Sequence, residues 1–144
     1  MKVEGILKAK GRAVETVPPD ASVPLVLHKL STLGIGALVV SGDDAEVLGT
    51  VSERDVVRAL NRHGGRVLEL RVSDVMSRGS PVCTPDQSLH DLMADMTRSR
   101  HRHVPVVEGG RLCGIVSIGD VVKHRLEEME LEVNVLRDRY IASR

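Results

Sequence analysis

The 144-residue chain contains no Trp and no Phe, and its single Tyr is Tyr140. Without aromatic platforms it has nothing on which single-stranded bases could stack. Its core must come from Val, Leu, Ile, Met and Ala. Cysteine is nearly as scarce: Cys83 and Cys113 make neither a disulfide scaffold nor a zinc site by their spacing. Both lie in apolar, strand-like runs, which predicts buried free thiols. Charge of one sign is not in excess either. Lys plus Arg balance Asp plus Glu at 20 each, so whole-chain charge gives no electrostatic case for nucleic acid. There is no signal peptide and no uninterrupted apolar run near the length of a membrane span. A soluble cytoplasmic protein with no membrane partner is expected.

What is present is a duplication. Gly49-Thr50-Val51-Ser52-Glu53-Arg54-Asp55-Val56-Val57 returns as Gly114-Ile115-Val116-Ser117-Ile118-Gly119-Asp120-Val121-Val122. Each copy begins as a short apolar strand, turns at a Ser-x-x-Asp corner and continues with helical periodicity. The corner sets a hydroxyl and a carboxylate beside the first free N–H groups of a helix, where an anion or a ribose hydroxyl can be received. Helix capping alone would use the same residues, but two matched copies favour a binding role.

The remaining segments pair in the same way. Residues 3–7 answer 72–76, and Val17-Pro18-Pro19-Asp20 answers Cys83-Thr84-Pro85-Asp86. Asp20 and Asp86 are expected as helix N-caps. Val23, Val26, Leu27 and Leu30 share their spacing with Leu89, Leu92, Met93 and Met96, the mark of an amphipathic helix. Gly36–Val40 then answers His103–Val107. Gly109-Gly110 predicts a tight hairpin turn in the second copy, where the first has the longer polar loop 41–46. Asn61 to Arg71 joins the two units. A unit of about 60 residues buries a marginal core alone, so the two are expected to pack together. The expected organisation is a first repeat with its N-terminal segment and linker over 1–71, a second over 72–126, and a helical extension over 127–144.

The last helix, which runs from Ile118 into that extension, carries apolar residues at Ile118, Val122, Leu126, Met129, Val133, Leu136 and Tyr140, close to a heptad stripe. The stripe outlasts the repeat unit, which favours self-association over folding back.

Tandem units with hydrophobic-x-Pro-Val-Val, a hairpin and Gly-h-h-Ser-x-x-Asp-h-h resemble a pair of cystathionine-β-synthase (CBS) domains, over about residues 3 to 126. The likeness is closest to small stand-alone bacterial pairs. It implies a mixed α/β (α+β) fold: two β-α-β-β-α repeats packed sheet to sheet as one pseudo-twofold module, with a long C-terminal helix. It also implies a regulatory binding module for adenosine-containing ligands such as AMP, ADP, ATP, NAD or S-adenosylmethionine, working as a homodimer on a regulated protein not yet identified.

By the same resemblance, each site is assembled across the repeats with the Asp holding the ribose. Ser52, Arg54 and Asp55 would join Val82, Cys83, Arg102, His103, Val104 and Pro105. Ser117, Ile118, Gly119 and Asp120 would join Thr16, Val17, Ile35, Gly36 and Ala37, with Lys10 as a nearby cation. Arg54, Arg102 and His103 would give the first site its preference for phosphorylated ligands. Repeat one has Leu38 where the family pattern has the proline of repeat two, Pro105.

His101 and His103 alternate on a strand but lack a third ligand at metal spacing, and no metal is expected. His28, His63, His90 and His124 are expected to be exposed. Ser52 and Ser117 have no matched histidine base, so no catalytic role is expected. The other reading is a structural or adaptor homodimer without ligand that recruits a partner through its C-terminal helix.

Overall fold

The computed structural model describes residues 1–143. Repeat one contains β1 (Thr16–Val17), α2 (Val23–Leu33), β2 (Ala37–Val40), β3 (Gly49–Ser52) and α3 (Glu53–His63), preceded by α1 (Val3–Lys10). A 3-10 turn over Gly64–Glu69 and the short α4 (Val72–Val75) lead into repeat two. That repeat has α5 (Leu89–Ser99), β4 (His103–Glu108), β5 (Arg111–Ser117) and α6 (Ile118–Ala142). In the first sheet β1 runs parallel to β2, and β2 pairs antiparallel with β3. In the second, β4 pairs antiparallel with β5, and the counterpart of β1 is reduced to one parallel bridge, Cys83 to Val106. Gly109 and Gly110, both at positive φ, make the hairpin turn.

Periodicity sets what each helix buries. Val23, Val26 and Leu30 of α2 are buried, as are Leu89, Leu92 and Met96 of α5, whereas Leu27 is exposed. The caps differ from expectation. Ser22 and Ser88, not Asp20 and Asp86, are the N-caps, and their hydroxyls accept from the Leu25 and Asp91 amides. The segments after the prolines close turns of their own, Ala21 N–H to Pro18 O and Gln87 N–H to Thr84 O. These turns carry Asp20 and Asp86 past before the helices start.

There are two separate cores. One joins α2, β2, β3 and α3 with Val67, Val72 and Val75. The other joins α5, β4, β5 and the start of α6 with Val3, Ile6 and Leu7 of α1. The helix before each repeat therefore packs on the other repeat. Val3 N–H donates to Gln87 O and Glu4 N–H to Pro85 O, while Ser77 and Thr50 exchange two backbone hydrogen bonds. The motif glycine of each repeat receives this crossing segment. A Cβ on Gly114 would stand 2.6 Å from Leu7 Cδ2, and one on Gly49 would stand 2.2 Å from the Ser77 carbonyl oxygen.

Both thiols are free. Cys83 is buried, and burial pushes its pKa up to about 12, while Cys113 is half-buried. His124 departs from the exposed position expected of it. It lies 8% exposed on the inner side of α6 beside Val121. From Met129 every described residue of α6 is exposed.

Candidate ligand cleft between the repeats

The two Ser-x-x-Asp corners share one geometry. Ser52 is the N-cap of α3 and Ser117 of α6, each in extended conformation, and each forms a reciprocal capping box with the Asp three residues on. The Ser52 amide donates to Asp55 Oδ2 at 2.8 Å, and the Ser117 amide to Asp120 Oδ2 at 2.9 Å. The next amide in each case reaches the partner strand. Glu53 N–H donates to Gly36 O, and Ile118 N–H to Arg102 O. Strand pairing thus carries each corner to the start of the neighbouring strand, with Ser52 opposite Ala37 and Ser117 opposite His103.

The surroundings of the corners differ. A cavity of about 510 Å³ opens on the Asp55 corner. Thr50, Ser52, Arg54, Asp55 and Arg58 line it from repeat one, and Arg100, His101, Arg102 and His103 from repeat two. Four arginines share this lining with two acidic residues, Glu53 and Asp55. Asp55 is 7% exposed, and its Oδ1 accepts the Ser77 hydroxyl at 2.6 Å. An anion entering this cavity would meet donors in a planar fork geometry suited to phosphate oxygens.

At the other corner, Lys10 reaches across from α1. Its Nζ lies 2.8 Å from Asp120 Oδ2 and 3.1 Å from the Ile115 carbonyl oxygen. Burial alone would raise the Asp120 pKa, but the Lys10 and Ser117 hydrogen bonds outweigh it and hold the carboxyl below its usual range. The carboxylate already has a cation from its own chain.

The residues named from sequence divide accordingly. Ser52, Arg54, Asp55, Arg102 and His103 line the cavity. Val82, Cys83, Val104 and Pro105 are not among its lining residues. Cys83 and Val104 are buried in the second core, Cys83 exchanges backbone bonds with Pro105 and Val107, and Val82 is exposed. Gly36 and Ala37, named for the Asp120 site, line the Asp55 cavity instead, and the His103 ring lies against Gly36. Thr16 bonds Asp44, Val17 is in the first core, and Ile35 packs against that core. Ile118 lines a smaller hollow of about 260 Å³ with Arg54, Arg100 and Arg102. Ser117, Gly119 and Lys10 remain with Asp120.

His103 stands between the two corners. Burial lowers its pKa, with Lys10 and Arg102 adding to the effect and Asp120 and Glu53 opposing it. Arg58, Ser77 and Arg100 line the cavity without having been named as site residues. Arg58 was reachable, since it lies one helical turn after Arg54 on α3. Ser77 comes from the segment that crosses between repeats, which no local pattern announces.

Arg100 occupies the C-cap of α5 at φ 59, in the left-handed region. The equivalent cap of α2 is Gly34, at φ 63. The segment over the Asp55 corner reads Arg-His-Arg-His, where its counterpart reads Gly-Ile-Gly-Ala. A side chain is thus kept where glycine is easier, in the lining of the charged cavity.

No group of three or more potential metal ligands occurs among the described residues, and none of their helices is long and apolar enough to cross a membrane. A CBS-domain protein of Agrobacterium tumefaciens has the same fold, with a TM-score of 0.83 and 45% identity over 87% of this chain and 99% of that one. The mitochondrial CBS-domain-containing protein CBSX3 of Arabidopsis thaliana is 29% identical over 93% of this chain and 69% of its own length. CBSX2 of Arabidopsis thaliana, crystallised in complex with AMP, shares the fold at a TM-score of 0.71 and 22% identity, over 88% of this chain and 97% of that one. The family model of the CBS domain matches residues 11–62 and again 72–127, and the chain belongs to the CBS-domain family as a tandem pair.

Proposed function

We propose that the protein is a non-catalytic regulatory module that binds an adenosine-containing ligand of the AMP, ADP, ATP or NAD type in the Asp55 cleft. It acts as an energy or redox sensor by changing the shape of a homodimer. The observation that carries this reading is the pairing of a buried carboxylate with four arginines around one cavity. The volume falls within the range of small-molecule sites, roughly 300–1,000 Å³. Asp55 would take the ribose hydroxyls, with one of them replacing the Ser77 hydroxyl on Oδ1. Arg54, Arg58, Arg100 and Arg102 would take the phosphates. The AMP complex of CBSX2 supports the ligand class by analogy of fold.

The Asp55 cleft is the primary site in this reading. A ligand at the Asp120 corner would first have to displace Lys10 from Asp120 and Ile115.

Isothermal titration calorimetry of nucleotide-stripped protein against AMP, ADP, ATP, NAD, NADH and S-adenosylmethionine tests the assignment. Micromolar binding of a nucleotide is expected. Asp55→Ala should weaken it by about 1.5–3 kcal/mol, roughly tenfold to a hundredfold. Asp55→Asn, which keeps an acceptor for the Ser52 amide, separates loss of the ribose contact from loss of the helix cap. Arg102→Ala should weaken phosphorylated ligands more than adenosine itself. Absence of binding across the panel would leave the adaptor reading, in which α6 recruits a partner without any ligand.

A further inference from the structure

The last half of α6 stands on the surface of the chain, every described residue from Met129 on being exposed. Met129, Leu131, Val133, Leu136, Tyr140 and Ile141 are each 55–65% exposed. A free helix of about 14 residues is marginal in water, so this segment needs a covering surface. Val122, Leu126, Met129, Val133, Leu136 and Tyr140 follow the alternating 4-3 spacing of a coiled-coil seam. A shallow groove of about 420 Å³ runs along that seam between Leu126, Met129 and Val133.

The flanking charges choose the occupant and its direction. With Leu126, Val133 and Tyr140 at a and Val122, Met129 and Leu136 at d, the e positions are Lys123, Glu130 and Arg137. The g positions are Arg125, Glu132 and Arg139. In a parallel, in-register pair each g residue faces the e residue five places on in the other copy. Arg125 then meets Glu130, and Glu132 meets Arg137, twice each by symmetry. Arg125 also bonds Glu128 within its own helix, and its guanidinium has donors to serve both. An antiparallel pair overlapping over the whole seam would set Glu132 against Glu132, Glu130 against Glu130 and Arg125 against Arg139. Sliding that antiparallel pair by one heptad restores opposite charges but leaves only four apolar layers, where the parallel pair has six.

We infer that α6 pairs with α6 of a second copy of this chain as a parallel, in-register two-stranded coiled coil. The inference rests on the self-association in the reading above, adds its direction, and does not depend on the ligand.

Sedimentation equilibrium of the full chain and three variants tests it. The wild type is expected to be a dimer. Glu132→Lys alone and Arg137→Glu alone should each weaken dimerisation, roughly tenfold, by turning two attractive pairs repulsive. The double variant Glu132→Lys/Arg137→Glu should recover near-wild-type affinity, because the swapped charges still face each other. In either staggered antiparallel pair the double variant introduces new repulsions and would dimerise no better than the singles. That outcome would overturn the parallel assignment while leaving self-association intact. Dimerisation indifferent to all three variants, or a monomer throughout the micromolar range, would overturn the α6 interface altogether. Nucleotide titration of the same variants is read separately, so failure of the ligand reading cannot be mistaken for failure of this one.

Discussion

At Arg100 the backbone occupies a left-handed conformation that costs a residue with a Cβ roughly 1–2 kcal/mol, and Gly34 occupies the matching place in repeat one without that cost. Arg100→Gly is therefore expected to raise stability, by about 0.5–1 kcal/mol once the extra entropy of a glycine in the unfolded chain is counted. It should also weaken phosphorylated ligands, because a guanidinium leaves the cavity. Urea denaturation and calorimetry on the same variant check both halves. A variant that gained stability and kept its affinity would remove Arg100 from the phosphate contacts. At this scale the doubled motif was legible. Ser52, Asp55, Ser117 and Asp120 could be read directly, because a capping box is written within four consecutive residues. The ion pair of Lys10 with Asp120 joins residues 110 apart in the chain, and no local spacing specifies such a contact.

Among the elements, α2 and α5 could be read from their apolar spacing, since one buried face over three turns leaves a clear period. The N-caps slipped by two residues because proline and aspartate also favour the turn that precedes each helix. The likeness of segments 3–7 and 72–76 is legible in the sequence, but the core on which each docks is not. Each is too short for its periodicity to say which sheet it will cover. The motif glycines supply the test. Gly49→Ala would drive a methyl into the Ser77 carbonyl, which accepts from the Thr50 amide while the Ser77 amide donates to the Thr50 carbonyl. Gly114→Ala would meet first the Leu7 side chain, which can rotate. Overpacking typically costs about 1–3 kcal/mol. Gly49→Ala is expected at the upper end and Gly114→Ala at or below the lower, measured by urea denaturation. The reverse order would mean that the 72–76 segment yields more easily than α1.

Across the whole molecule, the crossed helices tie two cores that otherwise do not merge. Val3, Ile6 and Leu7 are almost fully buried in the second core. Losing three such side chains removes about 4.5–9 kcal/mol of burial at roughly 1.5–3 kcal/mol each. That is comparable to the net stability of a domain. Deleting residues 1–10 should therefore strip hydrogen-exchange protection from β4 and β5 while β2 and β3 keep theirs. Equal loss in both sheets would mean the cores stand or fall together. The same crossing has a consequence during synthesis. Every residue of the first core lies between Val17 and Val75, so that half can fold as soon as it leaves the ribosome. The second core needs Val3, Ile6 and Leu7 together with residues 83–121. α1 thus emerges ahead of both cores yet is among the last elements to dock, and its apolar face waits unprotected while more than a hundred further residues are made.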